Sequence, residues 1–227
     1  MSGLNQVVFG IYPYIALTIF LGGSLLRFER EQYTWKADSS QLLRTGQLRM
    51  GSILFHVGIL GLFFGHFVGL LTPAGVWDIL GVTHSAKQLT AMVAGGVMGS
   101  LCLIGLLMLI HRRMSDPRIN ATSRRGDMVL LVWLLVTLGL GLSTIWVSAG
   151  HTDGALMVAL MRWAQGVVTL RPGAAAFVAE APWLFKAHLF MGMTLFVIFP
   201  FTRMVHVWSG FASVTYLGRA WQLVRPR

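Results

Sequence analysis

The sequence predicts an all-α membrane protein with five transmembrane helices, and three observations carry that prediction. Of the 227 residues, 55% are hydrophobic and only 11% charged, less than half the roughly 25% charge an ordinary soluble domain carries. Mean hydropathy is +0.68. The apolar residues gather in five runs, each close to the ~20 residues a helix needs to cross a bilayer. The runs do not alternate as barrel strands would. In lipid every backbone polar group must be paired within the structure, and for unbroken apolar runs that leaves the helix. The length suits one domain, 1–227.

The first run spans about 4–27. Met1 to Gly10 lacks the basic region of a cleaved signal peptide, so this run is expected to stay in place. Pro13 is expected to kink it. The second run, about 50–72, carries His56 and His66. Its glycines Gly58, Gly61, Gly65 and Gly69 fall within about 80° of one another around a helix. The third, about 88–111, holds Cys102 and repeats the glycine spacing at Gly95 and Gly99. Such stripes serve close helix packing or leave room for the edge of a flat ligand, and both uses can coexist. The fourth run is about 128–150.

A long connection, about 151–181, follows, with a turn expected at Pro172 and Gly173. Its stretch Gly154 to Leu170 is expected to form an interfacial helix with Trp163 at the headgroup level. The fifth run, about 182–208, carries His188, Pro200 and His206 and leads into a tail, about 209–227.

The net charge of +10 does not mark a nucleic-acid binder, because the charges sit in short segments between apolar runs. Arg27, Arg30, Lys36, Arg44 and Arg49 follow the first run; Arg112, Arg113, Arg118, Arg124 and Arg125 follow the third; Arg203, Arg219, Arg225 and Arg227 lie toward the C-terminus. Only Lys87, Arg162, Arg171 and Lys186 remain for the other side. The asymmetry predicts that the larger group is cytoplasmic, the N-terminus periplasmic and the C-terminus cytoplasmic. Arg27, Arg112 and Arg203 mark cytoplasmic span ends and are also candidates to pair with an anionic group of a bound cofactor.

Ionisable side chains within a span are costly to insert and therefore informative. His56 and His66 lie about 15 Å apart along one helix. His188 and His206, eighteen residues apart, are five whole turns and about 27 Å apart on a continuous helix, facing one side. Because the second and fifth spans run in opposite directions, His66 meets His188 near the outer surface and His56 meets His206 near the cytoplasm. The unequal separations require a tilt or kink, and Pro200 lies between the fifth-span pair. His84, His111 and His151 fall at span ends or in loops.

Two imidazoles from opposite sides, twice, suit few ligands. One zinc ion cannot reach both pairs, and a di-iron carboxylate site needs glutamates that the span interiors lack. Bis-histidine haem fits, with two haems stacked across the bilayer. Cys102 is the single cysteine and no Cys-x-x-Cys-His run exists for covalent attachment, so both haems are expected to be b-type.

The segment FGIYPYIALTIFLGGSLLRFEREQYTW from Phe9, FHVGILGLFFGHFVGLLTP from Phe55, KQLTAM from Lys87, RWAQGVVTL from Arg162, HLFMGMTLFVIFPFTRMVHVWS from His188 and YLGRAWQLVRPR from Tyr216 resemble the gamma subunit of bacterial respiratory nitrate reductase. The resemblance covers nearly the whole chain. It implies a membrane cytochrome b in the bacterial cytoplasmic (inner) membrane that oxidises quinol, either ubiquinol or menaquinol. Electrons would then pass to an iron–sulfur beta subunit and a molybdenum alpha subunit that reduces nitrate to nitrite. It further implies haem-iron ligation by His66 with His188 and by His56 with His206, and propionate pairing as the cofactor role of Arg27, Arg112 or Arg203. Lys87 matches a lysine associated with the quinol site, and Gly65 would let a quinol ring approach closely. Read without the resemblance, Lys87 is an interfacial anchor. The tail from Tyr216 mixes apolar and basic residues, as a surface docked on a soluble subunit does.

Two other functions compete. A proton-relaying transporter or plain anchor would use intramembrane histidines without needing matched pairs. A diheme cytochrome b of another quinol-linked complex, such as a heterodisulfide-reductase-like one, would need the same pairs and differ in its partner chains.

Overall fold

The computed structural model describes residues 3–31, 45–123, 125–150 and 153–209. Lys36, Arg44, Arg124, His151 and the tail from Tyr216 lie outside the described residues. The described chain is all-helical, and among the described residues there is no strand. In order the helices are α1 (Gly3–Gln6), α2 (Tyr12–Glu31), α3 (Thr45–Leu71), α4 (Ala74–Ile79), α5 (His84–Ser115), α6 (Pro117–Thr122), α7 (Arg125–Ala149), α8 (Ala155–Val168) and α9 (Trp183–Ile198). Among the described residues five segments are long and apolar enough to cross a membrane: Gly3–Arg30, Thr45–Leu71, His84–Ser115, Arg125–Ala149 and Trp183–Phe201.

Hydropathy locates these spans but not their ends. The second spanning helix, α3, starts at Thr45 and the third, α5, at His84, several residues before the apolar runs, because leaving the apolar region does not stop a helix. Caps do. Thr83 Oγ1 accepts from the Ala86 N–H at 3.2 Å to start α5. Asp116 Oδ1 accepts from Arg118 N–H at 3.0 Å to start α6, with Pro117 at its first position.

α3 and α5 form the most intimate helix pair. A Cβ at Gly58 would overlap the backbone of Cys102, and one at Gly105 would overlap the backbone of Phe55. Without a hydrophobic drive between helices in lipid, close backbone approach is what holds such pairs. Gly58→Val is expected to force the helices apart at a cost of about 1–3 kcal/mol, measured as a lower thermal midpoint of the purified protein. Between α5 and α7 a core forms from Cys102, Leu106, Leu130, Leu134 and Leu138.

A second core lies at the α8 end of the bundle, where Phe9, Leu160, Trp163, Val167, Ala175, Val178 and Phe185 meet. The helix expected between Gly154 and Leu170 is present as α8, but its tryptophan is not at a headgroup surface. Trp163 is buried, and its Nε1–H donates to the Phe9 carbonyl at 3.0 Å. The reason lies four residues on. Pro13 has no N–H to offer Phe9, so the indole satisfies the carbonyl that the proline leaves open. A π turn over Val7–Ile11 takes up the proline's distortion just before α2. Gly173 (φ +81°) makes the expected turn after α8.

The fifth span departs most from expectation. α9 ends at Ile198, a 3-10 turn covers Phe199–Phe201, and Thr202 is extended (φ −117°, ψ 177°) before a second 3-10 turn at Arg203–Val205. His188 and His206 therefore do not share one continuous helix of five turns. Pro200 cannot donate to the preceding turn, and the chain restarts with Thr202 Oγ1 accepting from Met204 N–H at 3.3 Å.

Candidate functional site

The structure brings the four histidines of the second and fifth apolar runs together in the same two pairs that the topology predicts. His66 on α3 faces His188 on α9 with ring centroids 6.1 Å apart and planes at 42°. His56 on α3 faces His206, beyond the break, with centroids 6.1 Å apart and planes at 71°. Among the described residues no group of three or more His, Cys, Asp or Glu converges on one point.

Each imidazole is oriented in the same way. Nδ1 of His66 lies 2.7 Å from the Leu62 carbonyl, and Nδ1 of His56 lies 2.7 Å from the Ser52 carbonyl. Nδ1 of His188 lies 3.0 Å from the Thr137 carbonyl, and Nδ1 of His206 lies 2.6 Å from the Arg203 carbonyl. A carbonyl oxygen only accepts, so each Nδ1 carries the proton and donates it. Each Nε2 is then the lone-pair nitrogen, the tautomer a metal requires. The partners of His56, His66 and His206 lie one turn earlier in the same chain segment. That of His188 comes from α7, fifty-one residues away.

The spacing within each pair fits an iron between them. The 6.1 Å between ring centroids in each pair is wide enough for one metal ion to be held with bonds of about 2 Å to either imidazole. The surroundings leave space. His56 and His66 are exposed although they lie in an apolar helix. A Cβ built at Gly65, Gly69 or Gly192 meets no atom within 4 Å. Gly192 is one turn from His188 on the same face. The α3 stripe divides in two: Gly58 and Gly61 touch Cys102 and Met98, whereas Gly65 and Gly69 border open space. The repeat on α5 divides likewise, with Gly99 against Leu142 and Gly95 open.

Lys87 lies in the first turn of α5, at the end of the bundle nearer His66. It is buried; its Nζ donates to the Met161 sulfur at 2.8 Å and lies 4.6 Å from the centre of the Trp77 ring. Both partners are weak and neutral. Gln165 ties the same end together, its Nε2 donating to the Leu70 and Thr72 carbonyls at 3.1 Å each, at the close of α3.

The three arginines singled out from the sequence lie at the opposite end. Arg27 Nη1 donates to the carbonyls of Pro200 and Thr202 at 2.7 and 2.9 Å. Arg203 pairs with Asp127 through two parallel bonds of 2.9 and 2.6 Å. Arg112 is buried at the end of α5. Asp127, Thr137, Met161 and Trp77 carry no sequence signal of their own, since each matters only through a neighbour that the fold brings to it. Gly141 belongs with them: a Cβ there would stand 2.8 Å from His188 Cε1.

Known proteins match this chain throughout. The family described as nitrate reductase gamma subunit matches residues 5–227. The chain is 48% identical to the respiratory nitrate reductase 1 gamma chain of Escherichia coli (strain K12), across 100% of both chains. It is 47% identical to the respiratory nitrate reductase 2 gamma chain of the same strain, across 99% of this chain and 98% of that one. Identity to the nitrate reductase gamma chain of Bacillus subtilis (strain 168) is 37%, across 100% of both. With five membrane-length helices and matches of this extent, the chain belongs to the nitrate reductase gamma subunit family.

Proposed function

We propose that this chain is the diheme cytochrome b subunit of a respiratory nitrate reductase in the bacterial inner membrane. It oxidises quinol near the periplasmic side and delivers electrons toward cytoplasmic iron–sulfur beta and molybdenum alpha subunits, the last of which reduces nitrate to nitrite. One observation carries the reading: two facing imidazole pairs, each at 6.1 Å and each with its Nε2 lone pair available. A transporter gives no reason for that matched spacing.

Haem b, when bound, supplies one-electron transfer at each pair. His66 and His188 would hold the outer haem and His56 and His206 the inner one. Their Nδ1–H bonds to backbone carbonyls fix ring orientation and raise the basicity of Nε2. Arg27, Arg112 and Arg203 supply positive charge at the inner end, where propionates would be neutralised. At the outer end Lys87 Nζ, held among the described residues by a thioether and a ring face, would turn an N–H toward a quinol oxygen and favour loss of the hydroxyl proton. Gly65, with open space where a Cβ would be, would admit the quinol ring beside His66.

Gly141→Ala is expected to displace the His188 ring from the Thr137 carbonyl and so disturb the outer haem alone. Low-spin ferric EPR of the variant would show one of the two haem signals shifted or lost. The function itself is tested on the complex purified with its partner subunits and given a reduced quinol and nitrate. Quinol-dependent nitrite formation, with the b-type absorption bands reduced by quinol, is expected. Nitrate reduction that proceeds only with an artificial donor would contradict the proposal.

A further inference from the structure

The chain between α9 and His206 is a weak place for a ligand. The helix has stopped, Pro200 offers no N–H, and extended Thr202 turns carbonyls out of the helical pattern. Two helices hold this segment from two sides. From α2, Arg27 Nη1 takes the carbonyls of Pro200 and Thr202 at 2.7 and 2.9 Å. From α7, buried Asp127 takes Arg203 by two bonds, Oδ1 accepting from Nε at 2.9 Å and Oδ2 from Nη2 at 2.6 Å. The carbonyl of that same Arg203 accepts from His206 Nδ1 at 2.6 Å. Arg203 is therefore tied through its side chain to α7 and through its backbone to the imidazole.

We propose that Arg27 and Asp127 are positioning residues for His206, and that the Asp127 carboxylate sets the charge balance at the His56–His206 pair. The proposal rests on the reading of that pair as a haem site. A parallel two-bond arginine–carboxylate contact is among the stronger and more directional polar contacts. Asp127 also lies 3.4 Å from Arg113 Nη1, with Arg112 the preceding residue of α5. Loss of its charge leaves the arginines in excess, and removing one member of a buried ion pair is far more disruptive than exchanging both. An added positive field favours the iron state of lower positive charge, so the inner midpoint potential should rise. Loss of Arg27 should lower it.

The test uses the purified complex carrying Asp127→Asn or Arg27→Met, examined by redox titration and ferric EPR. The EPR signal of a bis-imidazole haem follows the angle between the ring planes, 71° for this pair. Asp127→Asn is expected to shift the inner midpoint upward and Arg27→Met downward. Each should move the inner EPR signal or abolish it, and neither should move the outer haem. Asp127→Glu, which keeps the charge, should return the midpoint toward that of the parent. Unchanged inner signals in both variants, or equal shifts at both haems, would overturn the proposal. A parent complex without haem would overturn the underlying reading instead, and the parent's own spectrum distinguishes the two failures.

Discussion

Replacing His66 or His188 with alanine is expected to remove the outer haem and leave the inner one, halving the haem per chain. His56→Ala or His206→Ala should do the reverse. Each pair offers two Nε2 lone pairs and, among the described residues, no third His, Cys, Asp or Glu that could substitute. The four substitutions should therefore fall into two classes by spectrum, matched by pair rather than by position along the chain. His66 and His188 lie 122 residues apart in sequence, so a shared phenotype has no local explanation. Quinol-dependent nitrate reduction should fall to background in all four, since either gap interrupts the route. Haem content by pyridine haemochrome, with EPR to identify the survivor, checks the result. A His66 variant that keeps two haems would remove His66 from the ligand set.

Lys87→Ala is expected to slow quinol oxidation about 10-fold or more, the effect of losing a charge-assisted hydrogen bond of about 1.5–3 kcal/mol. Both haems should stay in place and remain reducible by dithionite, because Lys87 touches Met161 and Trp77 rather than any of the four histidines. The burial of this lysine strengthens the expectation. An interfacial anchor would extend its ammonium toward water, whereas Lys87 keeps its own against a sulfur and an indole. Steady-state kinetics with quinol as donor, normalised to haem content, read the effect. Unchanged kinetics would make Lys87 a packing residue of the α5–α8 contact.

The sequence discloses the helices and the histidine pairing for the same reason. Insertion into lipid is governed by composition, and two antiparallel spans carrying two histidines each admit one natural pairing. What decides ring orientation is less accessible. The Leu62, Ser52 and Arg203 carbonyls are close in the chain and could be guessed from helical geometry, but Thr137 reaches His188 only through the packing of α7 on α9. The sequence requires a tilt or kink between His188 and His206 and places Pro200 there, but a proline signals a kink without revealing its size, and the helix in fact stops at Ile198. At the break, Arg27 and Asp127, from helices far away in sequence, hold the carbonyls of Pro200 and Thr202 and the side chain of Arg203. Trp163 fails as a headgroup residue for a related reason. Its partner is a carbonyl exposed by Pro13, about 150 residues earlier, and no local pattern couples the two. The glycine stripe of α3 reads two ways in sequence, and only the close neighbours of Gly58 and the open space beside Gly65 tell its two halves apart.

The most direct test of the central claim is the haem-to-protein ratio of the purified chain in its complex, by pyridine haemochrome against quantitative amino-acid analysis. The account predicts two haem b per chain, both low-spin and both extractable by acidic acetone, as non-covalent haem is. A ratio of one or none, or haem that stays on the protein after extraction, would contradict it.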